Sequence, residues 1–177
     1  IPYELSGMAD ISFGEYSSRK IHAYVGNSHR NVGYLVETYQ MINDGFKNLD
    51  TGSNTGFDTK DFLGKLMFRT NGNASIFQKV EFKFGYYDEI SNETYLGLTG
   101  NDFDETPYRR YAGSQEDQMD ADHTQLQMRH FALFSENVDL TTTIYRNDFN
   151  RNWYKLDQVN GVGIGSMLLD PQQYQGA

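Results

Sequence analysis

Cysteine is absent from the 177 residues, which removes disulfides, thiolate metal sites and cysteine nucleophiles together. Proline occurs only three times and tryptophan once. No apolar run approaches the roughly 20 residues that a membrane-spanning helix needs. Cations are in the minority: 15 Lys and Arg stand against 24 Asp and Glu, for a net charge of -9. Nothing gathers them into a basic stripe, so nucleic acid is excluded as a partner. Ile1 follows neither an initiator methionine nor a signal peptide, and the chain is expected to start mid-protein or after processing.

Aromatic residues are plentiful, with 13 Tyr and 12 Phe, a bias that suits strands and membrane interfaces better than helices. A mean hydropathy of -0.67 fits a soluble protein. It equally fits a membrane β-barrel, whose strands hide their lipid face in every second residue.

Period-two alternation is the dominant pattern. In "IFQKVEFKFGYY", Val80, Phe82, Phe84 and Tyr86 oppose Lys79, Glu81, Lys83 and Gly85. "TKDFLGKLMFRT" sets Phe62, Leu66 and Phe68 against Asp61, Lys65 and Arg69, although Leu63 and Met67 fall on the wet side. "HTQLQMRHFALF" opposes Leu126 and Met128 to Gln125, Gln127 and Arg129. The same rhythm gives Leu140, Thr142 and Ile144; Ile21, Ala23 and Val25; Tyr34, Val36 and Thr38; and Ala9, Ile11 and Phe13. These stretches predict seven strands and no amphipathic helix.

The turns "NSHRN" (27–31), "NGNAS" (71–75) and "SENV" (135–138) are short and rich in Asn and Ser, as hairpins require. Between them lie long connections at about 42–58, 89–122 and beyond 156, with "YSSRK" as a short exception on the long-loop side. Short and long loops in alternation mark an outer-membrane barrel, with tight turns at one end and long extracellular loops at the other. Lys65, Arg69, Lys79, Glu81, Lys83, Gln125, Gln127 and Arg129 are then expected to face the lumen, since burying them in an apolar core would cost several kcal/mol each. Seven strands cannot close a bacterial barrel, which uses an even number from eight upward. The chain also ends on "QYQGA" within a loop. The expected fold is therefore all-β, an antiparallel up-and-down meander of about seven strands that forms a segment of a larger transmembrane β-barrel. The alternatives are a soluble β-sandwich carbohydrate-binding module and a passive porin-type barrel.

The segment "SNETYLGLTGNDFDETPYRRYAGSQEDQMDADHTQLQMRH" (91–130) resembles the TonB-dependent outer-membrane receptors, specifically the ferric-dicitrate-receptor-like branch. "HAYVG" (22–26), "DGFKNLDTGSNTGFD" (44–58), "LTTTIYRNDFNRNWYKLD" (140–157) and "LLDPQQY" (168–174) are similar to successive barrel segments of that branch. The resemblance implies that residues 1–177 are a partial barrel domain, without the plug, the TonB box and most strands of a 22-stranded barrel. It further implies a Gram-negative outer-membrane location, contact with outer-membrane lipid, a ferric siderophore or citrate-like chelate as substrate, and energy from the TonB complex through parts of the parent absent here. No cofactor and no resident metal are expected, and no nucleophile stands beside a base, so the chain is expected not to be an enzyme.

On this resemblance, Arg109 and Arg110 are candidates to bind the carboxylates of the chelate, with Tyr108 and Tyr111 supplying hydroxyls. The competing arrangement pairs both arginines with the loop's own acids Asp102, Asp104, Glu105, Glu116 and Asp117. "EDQMDADH" (116–123) lacks calcium-loop spacing and is expected to be a solvated acidic loop. His123 and His130, an odd number apart, should point to opposite faces. "GVGIGS" (161–166) is expected to be a flexible loop that opens no helix, and Trp153 and Tyr154 to follow a strand in an interfacial aromatic girdle.

Overall fold

Each alternating stretch forms a strand with one apolar and one polar face, and the chain repeats this seven times. The computed structural model describes residues 1–174; Gln175, Gly176 and Ala177 of the "QYQGA" end lie outside the described residues. In chain order the elements are β1 (Ser6–Phe13), β2 (Arg19–His29), β3 (Val32–Asn43), β4 (Asn48–Leu49), β5 (Phe57–Arg69) and β6 (Phe77–Asn92). Helix α1 (Gly100–Glu105), β7 (Arg109–Arg110), β8 (Gln118–Ser135) and β9 (Val138–Tyr154) follow. Last come β10 (Gln158–Val159), β11 (Val162–Gly163) and helix α2 (Ile164–Leu169).

The seven long strands pair antiparallel in the order β1-β2-β3-β5-β6-β8-β9, which is the expected meander. No sheet closes, and β1 and β9 each leave one edge unpaired among the described residues. The remaining ladders, β4 with β7 and β10 with β11, are two residues long and form no second layer.

Several expectations are corrected. β6 runs to Asn92 and β8 starts at Gln118, so the longest connection shrinks to residues 93–117 and most of "EDQMDADH" is strand rather than loop. Backbone pairing across β6 and β8 continues past the point where apolar alternation stops, because ladder hydrogen bonds do not need greasy side chains. Besides the strands the chain has two helices, α1 and α2, each six residues and too short to show a hydrophobic period, so no amphipathic helix is found among the described residues. Gly163 of "GVGIGS" is the residue before α2, so that motif does open a helix. Trp153 and Tyr154 end β9 instead of following it. Trp153 pairs with Met119 on the polar face and meets the Tyr95 ring at 5.7 Å, so it is not part of a girdle on the apolar face.

Register carries the apolar face across the sheet. Val36, Gly64, Phe84 and Leu126 form one row, and Tyr34, Leu66, Phe82, Met128 and Ile144 the next. These side chains are largely exposed; Phe82, Phe84, Leu66 and Ile144 are all among the exposed hydrophobics. Over Gly64, where no side chain fills the row, lies a shallow depression of about 560 Å³. The opposite face carries Lys65 beside Lys83, Glu81 beside Arg129, and Gln125 beside Asn147. Leu63 and Met67 also lie there, and Met67 is buried where its methyl reaches Gly33. His123 falls on this polar face and His130 on the apolar one, as their spacing requires.

The apolar band does not run straight across the strands. Ile11, at the centre of the apolar stretch of β1, is in register through Ile21, Gln40, Lys60, Asp88 and Asp122 with Asn150 of β9. On β9 the apolar stretch instead runs from Val138 to Ile144, centred near residue 141. The band therefore slides by about nine residues, the difference between 150 and 141, over six strand-to-strand steps. The middle strand agrees: on β5 the stretch Phe62–Phe68 is centred midway along that drift. At about 3.3 Å per residue and 4.8 Å between strands, roughly 1.5 residues per step is the track a level slab cuts across strands tilted by about 45°.

Candidate functional site

All the longer connections leave one end of the sheet, while residues 30–31, 70–76 and 136–137 turn at the other. The connection after β3 is pinched at its base. Gly45 sits at φ 81, and a Cβ on Gly56 would overlap the Asn43 carbonyl, so both positions need glycine. Asp44 donates its N–H to Tyr16 O at 2.8 Å, tying this connection to the one after β1.

The connections after β3 and after β6 are joined by backbone. β4 and β7 run parallel, with the Asn48 N–H donating to Tyr108 O at 2.7 Å and the Asp50 N–H to Arg110 O at 2.9 Å. A bidentate ion pair reinforces the ladder: Arg109 Nε and Nη2 donate to Asp50 Oδ1 and Oδ2 at 2.8 and 3.0 Å. The guanidinium holds the Asp50 carboxyl below the usual carboxylate range, and Asp50 in turn raises the Arg109 pKa. Arg109 also lies 3.6 Å from Asp102 and 5.2 Å from the Tyr111 ring centre. Tyr111 donates its hydroxyl proton to Asp102 and accepts the Thr99 N–H at 3.1 Å. Thr99 in turn caps α1 by accepting the Asp102 N–H at 3.3 Å.

Arg110 behaves differently. Its Nη1 donates to the carbonyls of Pro107 and Arg109, and it forms no ion pair among the described residues. Lys47 donates to Thr94 Oγ1 at 2.7 Å and is likewise without an ion pair. Burial and then the positive charge of Arg110 push the Lys47 pKa down. Tyr108 is 59% exposed and meets the Phe46 ring edge-on at 5.9 Å.

The four residues singled out in the sequence thus separate into two groups. Arg109 and Tyr111 are occupied in holding the loops, with Asp50 as the main acid partner, a residue of the preceding connection. Tyr108 is exposed, and Arg110, half-buried opposite the buried Leu49, has no ion-pair partner among the described residues. Sequence reasoning missed Asp50, Phe46 and Lys47 because each lies some sixty residues away in the chain and only the β4–β7 register brings it near. It also took Asp117 as a loop charge. Asp117 is 3% exposed, and its two oxygens accept the Tyr95 N–H at 3.0 Å and the Leu156 N–H at 2.9 Å. That carboxylate fastens the connection after β6 to the segment after β9. Below it, Leu96 and Leu156 close on Gly113 in a small apolar cluster.

No protein-family model matches the chain, and no curated protein or solved structure matches it.

Proposed function

We propose that the chain is a segment of the transmembrane barrel of a TonB-dependent outer-membrane receptor, a non-enzymatic importer of ferric siderophores or citrate-like ferric chelates. In this reading the apolar face meets outer-membrane lipid, the polar face lines the lumen, and the tied loops face the cell exterior. The plug and the contact with the TonB complex belong to the rest of the parent protein. The observation that supports it most is the oblique apolar band. Its drift of about 1.5 residues per strand corresponds to a tilt of about 45°, within the range of membrane barrels.

The receptor chemistry rests on the resemblance of residues 91–130. It is tested by iron accumulation from ferric citrate and ferric siderophores in cells that carry or lack the parent gene. Uptake that requires both the parent and a working TonB complex is the expected result. Steady ion conductance by the purified parent, with iron uptake indifferent to TonB, would instead make it a passive porin.

A further inference from the structure

A second hollow opens on the apolar side of the sheet, at its short-turn edge. It measures about 540 Å³, and Asn27, His29, Arg30, Asn31 and Asn71 line it together with Tyr34. Asn27 stands opposite Tyr34 and His29 opposite Val32, so these side chains share the apolar face. No carboxylate lines the hollow, and Arg30 forms no ion pair among the described residues. Arg30 is held at φ 51, a left-handed conformation uncommon outside glycine, in the turn between β2 and β3. Arg69 fixes that turn from the end of β5: its N–H donates to Asn31 O at 2.8 Å and its Nε to Arg30 O at 2.9 Å.

Tyr34 belongs to both hollows and joins the polar one to the apolar depression over Gly64. From Val32 at the first to Val36 beside Gly64 is four residues, about 13 Å of strand. The cation at the far end of the depression, Arg146, is taken up by Asp148 at 2.7 Å. Arg30 therefore stands alone at one end of an apolar trough. The slope of the apolar band sets its depth. Ile11 is in register with Gln40, and Lys65, the centre of the β5 stretch, with Leu35, so the band is centred near residue 37 on β3. Arg30 lies seven residues below that centre, about 16 Å along the membrane normal for strands tilted by about 45°. Half of a hydrocarbon core of about 30 Å is about 15 Å, so the guanidinium stands where lipid phosphates begin.

We propose that the two hollows form one seat for a glycerophospholipid of the leaflet on the short-turn side. Its phosphate lies against Arg30, with the Asn27, Asn31 and Asn71 amides as further donors, and one acyl chain runs past Tyr34 into the depression over Gly64. The inference rests on the membrane-barrel reading and adds a preferred lipid at a fixed place on the barrel wall. A guanidinium beside donor amides suits a phosphate, and the trough suits a chain that carries no polar group.

Photo-crosslinking tests the seat in the parent protein, reconstituted in phosphatidylcholine vesicles. Two probes carry the same diazirine-tipped acyl chain, one on phosphatidylglycerol and the other on diacylglycerol, which has no phosphate. Peptide mass spectrometry reads labelling around Gly64 relative to labelling around Ile11. The phosphatidylglycerol probe is expected to label the strands around Gly64 at least about tenfold more than the diacylglycerol probe. Arg30→Gln should bring it down to the diacylglycerol level. A Cβ at Gly64 meets nothing within 4 Å, so Gly64→Leu fills the trough without disturbing the sheet and should lower labelling by both probes. Lys60→Gln, a cation on the same face at the opposite edge, should leave the ratio unchanged. Equal labelling by the two probes overturns the proposal, as does a ratio that survives Arg30→Gln or labelling that survives Gly64→Leu. A parent protein that stays outside the vesicles refutes the barrel reading and the seat with it, whereas an inserted protein without the preference overturns the seat alone.

Discussion

Arg109 and Asp50 show how a residue's partner decides its role. Their bidentate geometry joins two connections that only a two-residue ladder otherwise holds. Because the folded Asp50 pKa lies below its ordinary value, the tie contributes fully above the unfolded value of about 4 and is lost as pH falls through the lower folded value. Amide exchange at Asn48–Asp50 and Arg109–Arg110 should therefore stay slow down to about pH 4 and accelerate only below it. Arg109→Gln should show the fast exchange already at pH 7. Exchange that is fast at neutral pH in the unaltered chain would contradict the role given to this pair. Asp117 presents a sharper case, because its carboxylate is buried and satisfies two backbone donors. Asp117→Asn leaves one N–H facing an amide NH2 group, which should destabilise the loop end by about 1–3 kcal/mol in denaturant titration. A change within error would mean that water reaches those donors. Neither pairing could be read from the sequence. An acid among acids looks solvated until the fold shows which one is enclosed.

At the scale of elements the alternation was readable and its extent was not. All seven strands arise where the apolar period predicts them, since a one-residue slip would turn every side chain to the wrong face. Strand ends escaped notice at Asn92 and Gln118, where the pairing continues through Asp, Glu and Asn side chains. The two faces of β6 make the most direct element-level prediction. In the membrane-inserted parent, Phe82→Arg should cost about 2–4 kcal/mol if Phe82 lies near the midplane, whereas Lys83→Gln should cost little. Equal costs in reversible unfolding would remove the two-faced assignment. The polar face also has an internal conflict: Lys65 lies directly opposite Lys83, and like charges in that position destabilise a pair. In the proposed barrel, water or an acidic group in the lumen would relieve it, and Lys65→Gln should then be neutral or mildly stabilising in the same assay.

For the whole molecule, the sheet's apolar face and unpaired edges require a covering. Every residue of β9 is exposed, and one side of its backbone has no partner among the described residues. Bare edges of this length pair with whatever strand is offered. The chain in detergent-free buffer should therefore form large assemblies, visible by light scattering, that disperse when detergent is added. The slope of the apolar band was invisible in the sequence, because it appears only when seven registers are laid side by side. It is also the central claim, and two positions test it. Ile11 and Asn150 stand in the same row of the sheet, so strands perpendicular to the membrane plane would place them at equal depth. Strands tilted by about 45° put Ile11 near mid-bilayer and Asn150 about nine residues beyond it, roughly 20 Å higher. Nitroxide labels at the two sites, in the parent protein embedded in lipid vesicles, report depth through their accessibility to oxygen and to a water-soluble nickel chelate. The account predicts a label at residue 11 that senses oxygen and not nickel, and a label at residue 150 that senses nickel. Equal depth at the two sites, or nickel access at both, would contradict it.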